Sequence, residues 1–209
     1  EETDLLYKDV SRIMFLDCTG YGIKSLDGIE NLPILKGAEL GNNKIKDVTP
    51  LGKCVNLREL ELFENEIEDA SPLGNLVNLT RLNTSNNSIS DINYVVNLLS
   101  LNTFYTGGNP ISNISAVSDL TNLTGLSFSF AKVKDISPVK NLINLTGLYM
   151  NDNEIVSLSD IKGLINLIGI GVGDNCITDF SPIDYLKENG KLVNILGDSS
   201  DDQDYDRCK

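Results

Sequence analysis

Apolar residues recur along this chain with a period of 22. Leu35, Leu57, Leu79, Leu101, Leu123, Leu145 and Leu167 form one column, and Ile13 begins it one step earlier. Within a unit the pattern runs Leu57, Leu60, Leu62, Asn65, Ile67. Apolar residues alternating with polar ones around Leu60 and Leu62 predict a short strand with one buried face. After Ile67 the apolar residues fall at every third position, as at Leu73, Leu76 and Leu79. That step fits a tight 3-10 return, in which side chains eclipse every third residue. Eight such units cover Ile13 to Asn189.

Polar columns keep the same step. Asn43, Asn65, Asn87, Asn109, Asn153 and Asn175 align, and only Ala131 breaks the row. An Asn at a bend can bond backbone groups that the turn leaves unpaired, and stacked copies would form a ladder. Asp-x-Ser/Thr-Pro opens the return at Asp47, Asp69, Asp135 and Asp179. The hydroxyl is expected to cap the turn there, with Pro presetting its dihedral. No unit can bury its own leucines, so neighbours must stack. The fold expected is an α/β repeat: a leucine-rich-repeat solenoid with a parallel concave β-sheet and short 3-10 or helical returns on the convex side.

The ends depart from the pattern. Residues 1–12 read as a helical cap on the first strand, and residues 13–189 as the eight repeats. Tyr21 takes the Asn position in the first unit, which has no earlier neighbour to bond. Leu192 to Ile195 arrives three residues late, after a longer helical turn stopped by Gly190, so residues 190–197 read as a final partial strand. Residues 198–209 carry five Asp and read as a solvated acidic tail.

Composition narrows the function. The chain has 209 residues, 17 Lys+Arg against 30 Asp+Glu, and a net charge of −13. The acid excess argues against nucleic acid and anionic membrane surfaces as partners. No apolar run is long enough to span a bilayer, and residues 1–4 do not read as a signal peptide. With no His, the Ser-His-Asp and Cys-His arrangements are excluded, as is a His-ligated zinc site. Glu59 and Glu61 could in principle do paired-carboxylate chemistry, but no insertion between repeats would close a pocket around them. A non-catalytic protein with no cofactor and no metal is expected. Asp201 to Asp206 lacks the mid-loop Gly and closing Glu of a calcium loop.

Candidate binding residues are those interleaved with the strand leucines. The central outward column is Asp17, Glu39, Glu61, Asn83, Tyr105, Ser127, Tyr149 and Gly171. Two residues on, Phe63 and Asn151 are outward, and the next column holds Glu64, Phe130, Asp152 and Asp174. Acids gather over the early units at Asp17, Glu39, Glu59, Glu61 and Glu64. Taken alone they read as a solubilising surface. Aromatics occupy Phe63, Tyr105, Phe130 and Tyr149, a line of roughly 20 Å along the sheet at about 4.8 Å per strand. With only six Phe and seven Tyr in the chain, four on this face point to interface anchors. Phe130 precedes Ala131 and either faces out with the others or turns inward to fill the gap in the Asn row.

Cys18 and Cys54 read as buried thiols on opposite sides of the solenoid. Cys176 follows Asn175 where other units carry Lys44, Glu66 and Glu154, so it is expected at the surface, either bridged to Cys208 or free. Asn-Leu-Thr at Asn78, Asn122 and Asn144 matches a glycosylation sequon but recurs because the repeat recurs.

The unit beginning Leu57-x-x-Leu-x-Leu-x-x-Asn-x-Ile-x-Asp-x-Ser-Pro-Leu resembles the 22-residue repeat of the bacterial internalin family, and Ile23 to Leu32 resembles the first repeat of those proteins. That resemblance implies a secreted or surface-attached protein of a Gram-positive bacterium. It also implies a module that grips host or other macromolecules on its concave sheet; a monomer that binds a protein is expected. Phosphatase-regulating repeat proteins of eukaryotic cells use a similar unit, which implies an intracellular scaffold as the alternative.

Overall fold

A computed structural model describes residues 10–197. Nine three-residue strands lie in one parallel sheet in chain order. They are β1 (Phe15–Asp17), β2 (Gly37–Glu39), β3 (Glu59–Glu61), β4 (Arg81–Asn83), β5 (Thr103–Tyr105), β6 (Gly125–Ser127), β7 (Gly147–Tyr149), β8 (Gly169–Gly171) and β9 (Asn194–Leu196). The register follows the sequence period: Leu16 pairs with Ala38, Leu60 with Leu82, Phe104 with Leu126. Every strand therefore repeats its neighbour's in-and-out pattern, and the middle residue of each faces the core. The last step is longer. Gly169 pairs with Asn194, because helix α1 (Ser181–Asn189) stands where earlier units have a 3-10 turn.

The returns are 3-10 turns, as at Thr49–Lys53, Ser71–Asn75 and Ser137–Val139, with Pro in the first turn of each. Their caps correct the sequence reading. The carboxylate of the preceding Asp, not the hydroxyl, accepts the backbone N–H: Thr49 to Asp47, Ser71 to Asp69, Ser137 to Asp135 and Ser181 to Asp179, all at 2.8–2.9 Å. The hydroxyl donates to that same carboxylate, as Ser137 Oγ does to Asp135 Oδ2 at 3.0 Å. Asx geometry satisfies the turn better because the carboxylate reaches both groups at once.

The core runs the length of the solenoid between sheet and returns. Leu35, Leu57, Leu79, Leu101, Leu123, Leu145 and Leu167 are all buried. The Asn ladder is present. Asn65 Oδ1 accepts from Ile45 N–H at 3.0 Å, and its Nδ2 donates to the carbonyls of Leu40, Leu62 and Phe63. Asn43, Asn87, Asn153 and Asn175 repeat the arrangement. Each Asn thus ties two repeats together, and no buried side-chain polar atom among the described residues lacks a partner.

A second ladder runs along the opposite flank. Asn56, Asn78, Asn122, Asn144 and Asn166 donate to carbonyls 23 residues earlier, such as Asn78 to Val55 and Asn122 to Leu99. Thr80, Thr124 and Thr146 add hydroxyl donations to Arg58, Asn102 and Thr124. The recurrent Asn-Leu-Thr is therefore a structural rung.

One buried polar cluster was not read from the sequence. Thr84 and Thr106 take the place of the second strand leucine, bonded to each other at 3.2 Å, and Thr84 meets the Tyr94 hydroxyl at 3.3 Å. Tyr94 packs edge-on to Phe104, with centroids 6.5 Å apart. Burial pushes its phenol well above the ordinary range.

The helical cap expected over residues 1–12 lies mostly outside the described residues. The tail at 198–209, with Cys208 and Asp201–Asp206, lies wholly outside them. No described helix is long and apolar enough to cross a membrane.

Candidate functional site

Three outward columns cover the concave face. The first residue of each strand supplies Phe15, Gly37, Glu59, Arg81, Thr103, Gly125, Gly147 and Gly169. The third supplies Asp17, Glu39, Glu61, Asn83, Tyr105, Ser127, Tyr149 and Gly171. Two residues later come Phe63, Ser85 and Asn151, where the chain still pairs with its neighbour: Asn42 N–H donates to Phe63 O, and Glu64 N–H to Ser85 O. The sequence reading took only Glu59 from the first column and so missed Phe15 and Arg81. Both follow the same period and alternate with the buried middle residue, which is the signal that could have found them.

The next column is not on the sheet. Asn42, Glu64, Asn86, Phe130, Asp152 and Asp174 all have φ of 53–58°, the left-handed turn by which the chain leaves the concave face. Glu64, Phe130, Asp152 and Asp174 thus line the sheet's exit rim. Phe130 is 64% exposed, so it does not turn inward beside Ala131. Its left-handed backbone aims it away from the core. The four aromatics accordingly form no single line. Phe63 lies two residues beyond β3, Tyr105 and Tyr149 occupy the third strand column, and Phe130 sits on the rim.

The face divides into two parts of different chemistry. Over β1 to β4, Phe15, Phe63, Asp17, Glu39, Glu59, Glu61 and Arg81 surround a groove of about 620 Å³. Phe15 is two-thirds exposed and reaches sideways across the neighbouring strand, where a Cβ on Gly37 would come within 2.6 Å of its Cδ1. Phe63 lies over Gly41 in the same way. Glycine at Gly37 in β2, and at Gly41 two residues beyond it, leaves room for both rings against the sheet. Glu61 is not a free acid: its Oε1 accepts from Arg81 Nε at 2.6 Å and its Oε2 from Asn83 Nδ2 at 2.8 Å. That carboxylate raises the Arg81 pKa further.

Over β5 to β8 the face carries no charge. Tyr105 and Tyr149 stand in one column with Ser127 between them, about 10 Å apart by strand spacing. Their rings lean over Gly125 and Gly169, where a Cβ would meet the hydroxyls at 3.4 and 2.9 Å. Thr103, Thr124 and Thr146 edge this shallow platform of about 350 Å³. Tyr149 is exposed and Tyr105 half-buried.

Among the described residues no group of three or more His, Cys, Asp or Glu could hold a metal ion. Cys54 is buried and Cys18 half-buried, and both are free thiols. Burial, with Glu30 nearby, raises the Cys54 pKa, which leaves it a poor nucleophile. Cys176 is disulfide-bonded, one of the two states expected for it, but it is buried rather than at the surface. Other repeats give the equivalent position to solvent-facing Lys44 and Glu66.

Comparison with known proteins agrees with this architecture. Residues 35–75 match the family of leucine-rich repeats (two copies). A search of curated proteins gave no match. Among solved structures, internalin C2 of Listeria monocytogenes is 34% identical with a TM-score of 0.87, over 92% of this chain and 84% of that one. The Listeria monocytogenes internalin InlF is 31% identical with a TM-score of 0.88, over 92% of this chain. A leucine-rich-repeat protein of Leptospira interrogans is 26% identical with a TM-score of 0.73, over 79% of this chain. The chain spans 56% of the InlF structure and 44% of the Leptospira one.

Proposed function

This chain belongs to the internalin family of leucine-rich-repeat proteins, and we propose that it is a non-catalytic module that binds a protein partner on its concave sheet. The observation that carries the reading is the pair Tyr105 and Tyr149, which lean over glycines on an open part of the sheet among the described residues. Large rings that are already ordered lose little freedom on binding and bury much apolar area, which is how interface anchors work. An open sheet face also suits a macromolecule better than a small substrate, which needs an enclosing cleft.

The partner we favour is a host-surface protein, met by a secreted or surface-attached bacterial protein. The disulfide at Cys176 supports that setting over the intracellular scaffold, because disulfides persist in oxidising compartments. The test is capture of host-surface proteins on the immobilised chain beside a Tyr105→Ala/Tyr149→Ala variant. A protein retained by the parent and lost by the variant supports the reading. Equal retention by both moves the interface to the convex side or a flank.

A further inference from the structure

Resting on that reading of the concave sheet, we propose that the groove between Phe15 and Phe63 receives a basic segment of the protein partner, with a lysine or arginine head seated over Glu39. The geometry begins with β2. Gly37 lies beneath the Phe15 ring and Gly41 beneath the Phe63 ring, while Glu39 points outward between them. A carboxylate therefore stands on the floor of the slot with an aromatic ring at each end.

Asp17 lies beside Glu39 in register, on strands about 4.8 Å apart, and Glu59 lies in register with Gly37. Among the described residues, Asp17, Glu39 and Glu59 form no ion pair, whereas Glu61 is held by Arg81 and Asn83. Adjacent like charges on one sheet face repel. An ammonium or guanidinium lodged among them removes that repulsion, and the ring faces attract the same cation. The net charge of −13 draws a basic segment toward the face and turns an acidic one away. The neutral platform around Tyr105 and Tyr149 would contact the rest of the partner.

The probe is a fluorescently labelled, amidated hexapeptide of alternating arginine and glycine. Its neutral twin carries citrulline for arginine. Binding is followed by anisotropy at low salt, with circular-dichroism melting to show that each variant folds. The arginine peptide should bind at least roughly tenfold more tightly than the citrulline peptide, and the difference should fade at high salt. Glu39→Gln should weaken it about fivefold and Phe63→Leu about threefold, while Tyr105→Ala and Tyr149→Ala leave it unchanged. No binding, equal binding of the two peptides, or unchanged binding by both Glu39→Gln and Phe63→Leu would overturn the inference. If the peptide fails while a captured protein still requires the two tyrosines, only this inference falls. If that protein ignores the tyrosines as well, the concave reading falls with it.

Discussion

Ile111 donates its backbone N–H to the carbonyl of Asn109, at 2.8 Å. In repeats followed by an Asn rung the equivalent N–H, such as that of Ile45 or Ile89, goes to the side-chain oxygen of the next unit's Asn. The sixth unit offers Ala131 instead, so the chain bonds back on itself across two residues. The missing rung is thus half repaired. The Thr106 and Phe128 carbonyls still receive one Asn amide each, from Asn109 and Asn153, where Leu40 receives two.

Ala131→Asn should therefore stabilise the chain modestly, by about 1 kcal/mol, since the two carbonyls gain a donor while Ile111 merely exchanges acceptors. A rise of roughly 2–4 °C in melting temperature is expected by circular dichroism. A fall would show that the amide does not fit beside the core at that bend.

Removing a complete rung should cost far more. Asn65→Ala strands the buried Ile45 N–H and withdraws the donor that Leu40, Leu62 and Phe63 share. The expected loss is about 3 kcal/mol, read as a drop in denaturation midpoint. Hydrogen exchange should show the opening centred on the second and third repeats, because each unit contacts only its neighbours.

Phe130 holds φ at 58°, a left-handed conformation that costs a bulky residue about 1 kcal/mol. Asn42 and Asn86 occupy the same turn in other units, and Asn tolerates that geometry. Phe130→Asn is expected to raise stability by about 1 kcal/mol in chemical denaturation. If it also weakens partner binding, the strain is retained for contact at the rim.

Acid should loosen the returns. Thr49's hydroxyl and then its N–H hold the Asp47 carboxyl below the ordinary 3.8. For Asp69, Asp135 and Asp179 the leading cause is the backbone N–H of Ser71, Ser137 and Ser181, followed by the hydroxyl. A depressed folded-state pKa means that the unfolded chain binds protons first as pH falls. The stability these carboxylates contribute is fully present above 3.8 and is lost as pH drops through their lower folded values. Melting temperature measured across that window should fall, and Asp69→Asn should flatten the fall. Asn113 already makes the equivalent bond to Ser115 N–H without a charge.

Tyr105→Ala and Tyr149→Ala should each weaken binding of a captured partner by about 2 kcal/mol. Folding should shift by less, about 0.5 kcal/mol for the exposed Tyr149, because its ring rests on glycine and supports little core. Paired calorimetry and thermal melts on the same variants check both halves.

The sequence alone determined the solenoid and the direction of most strand residues. A strict period of 22 with parallel, in-register pairing puts equivalent positions of every unit in one line, so Leu60 had to be buried and Glu61 had to face out. It also named the Asn rung and its break at Ala131, since both are properties of one column. What only the tertiary structure decided depends on neighbours one repeat away. Phe15 and Phe63 lie against the sheet because the second repeat offers Gly37 and Gly41 beside them, and Glu61 is neutralised because Arg81 comes from the next strand. Glu64, Phe130, Asp152 and Asp174 leave the sheet because the backbone turns left-handed at that column, a dihedral that spacing does not encode. Cys176 is buried at a position that other repeats give to solvent-facing Lys44 and Glu66, so its burial is not a property of its column. Repetition specifies what a residue shares with its column. The side chains that meet across columns specify the site, and those meetings exist only once the strands are stacked.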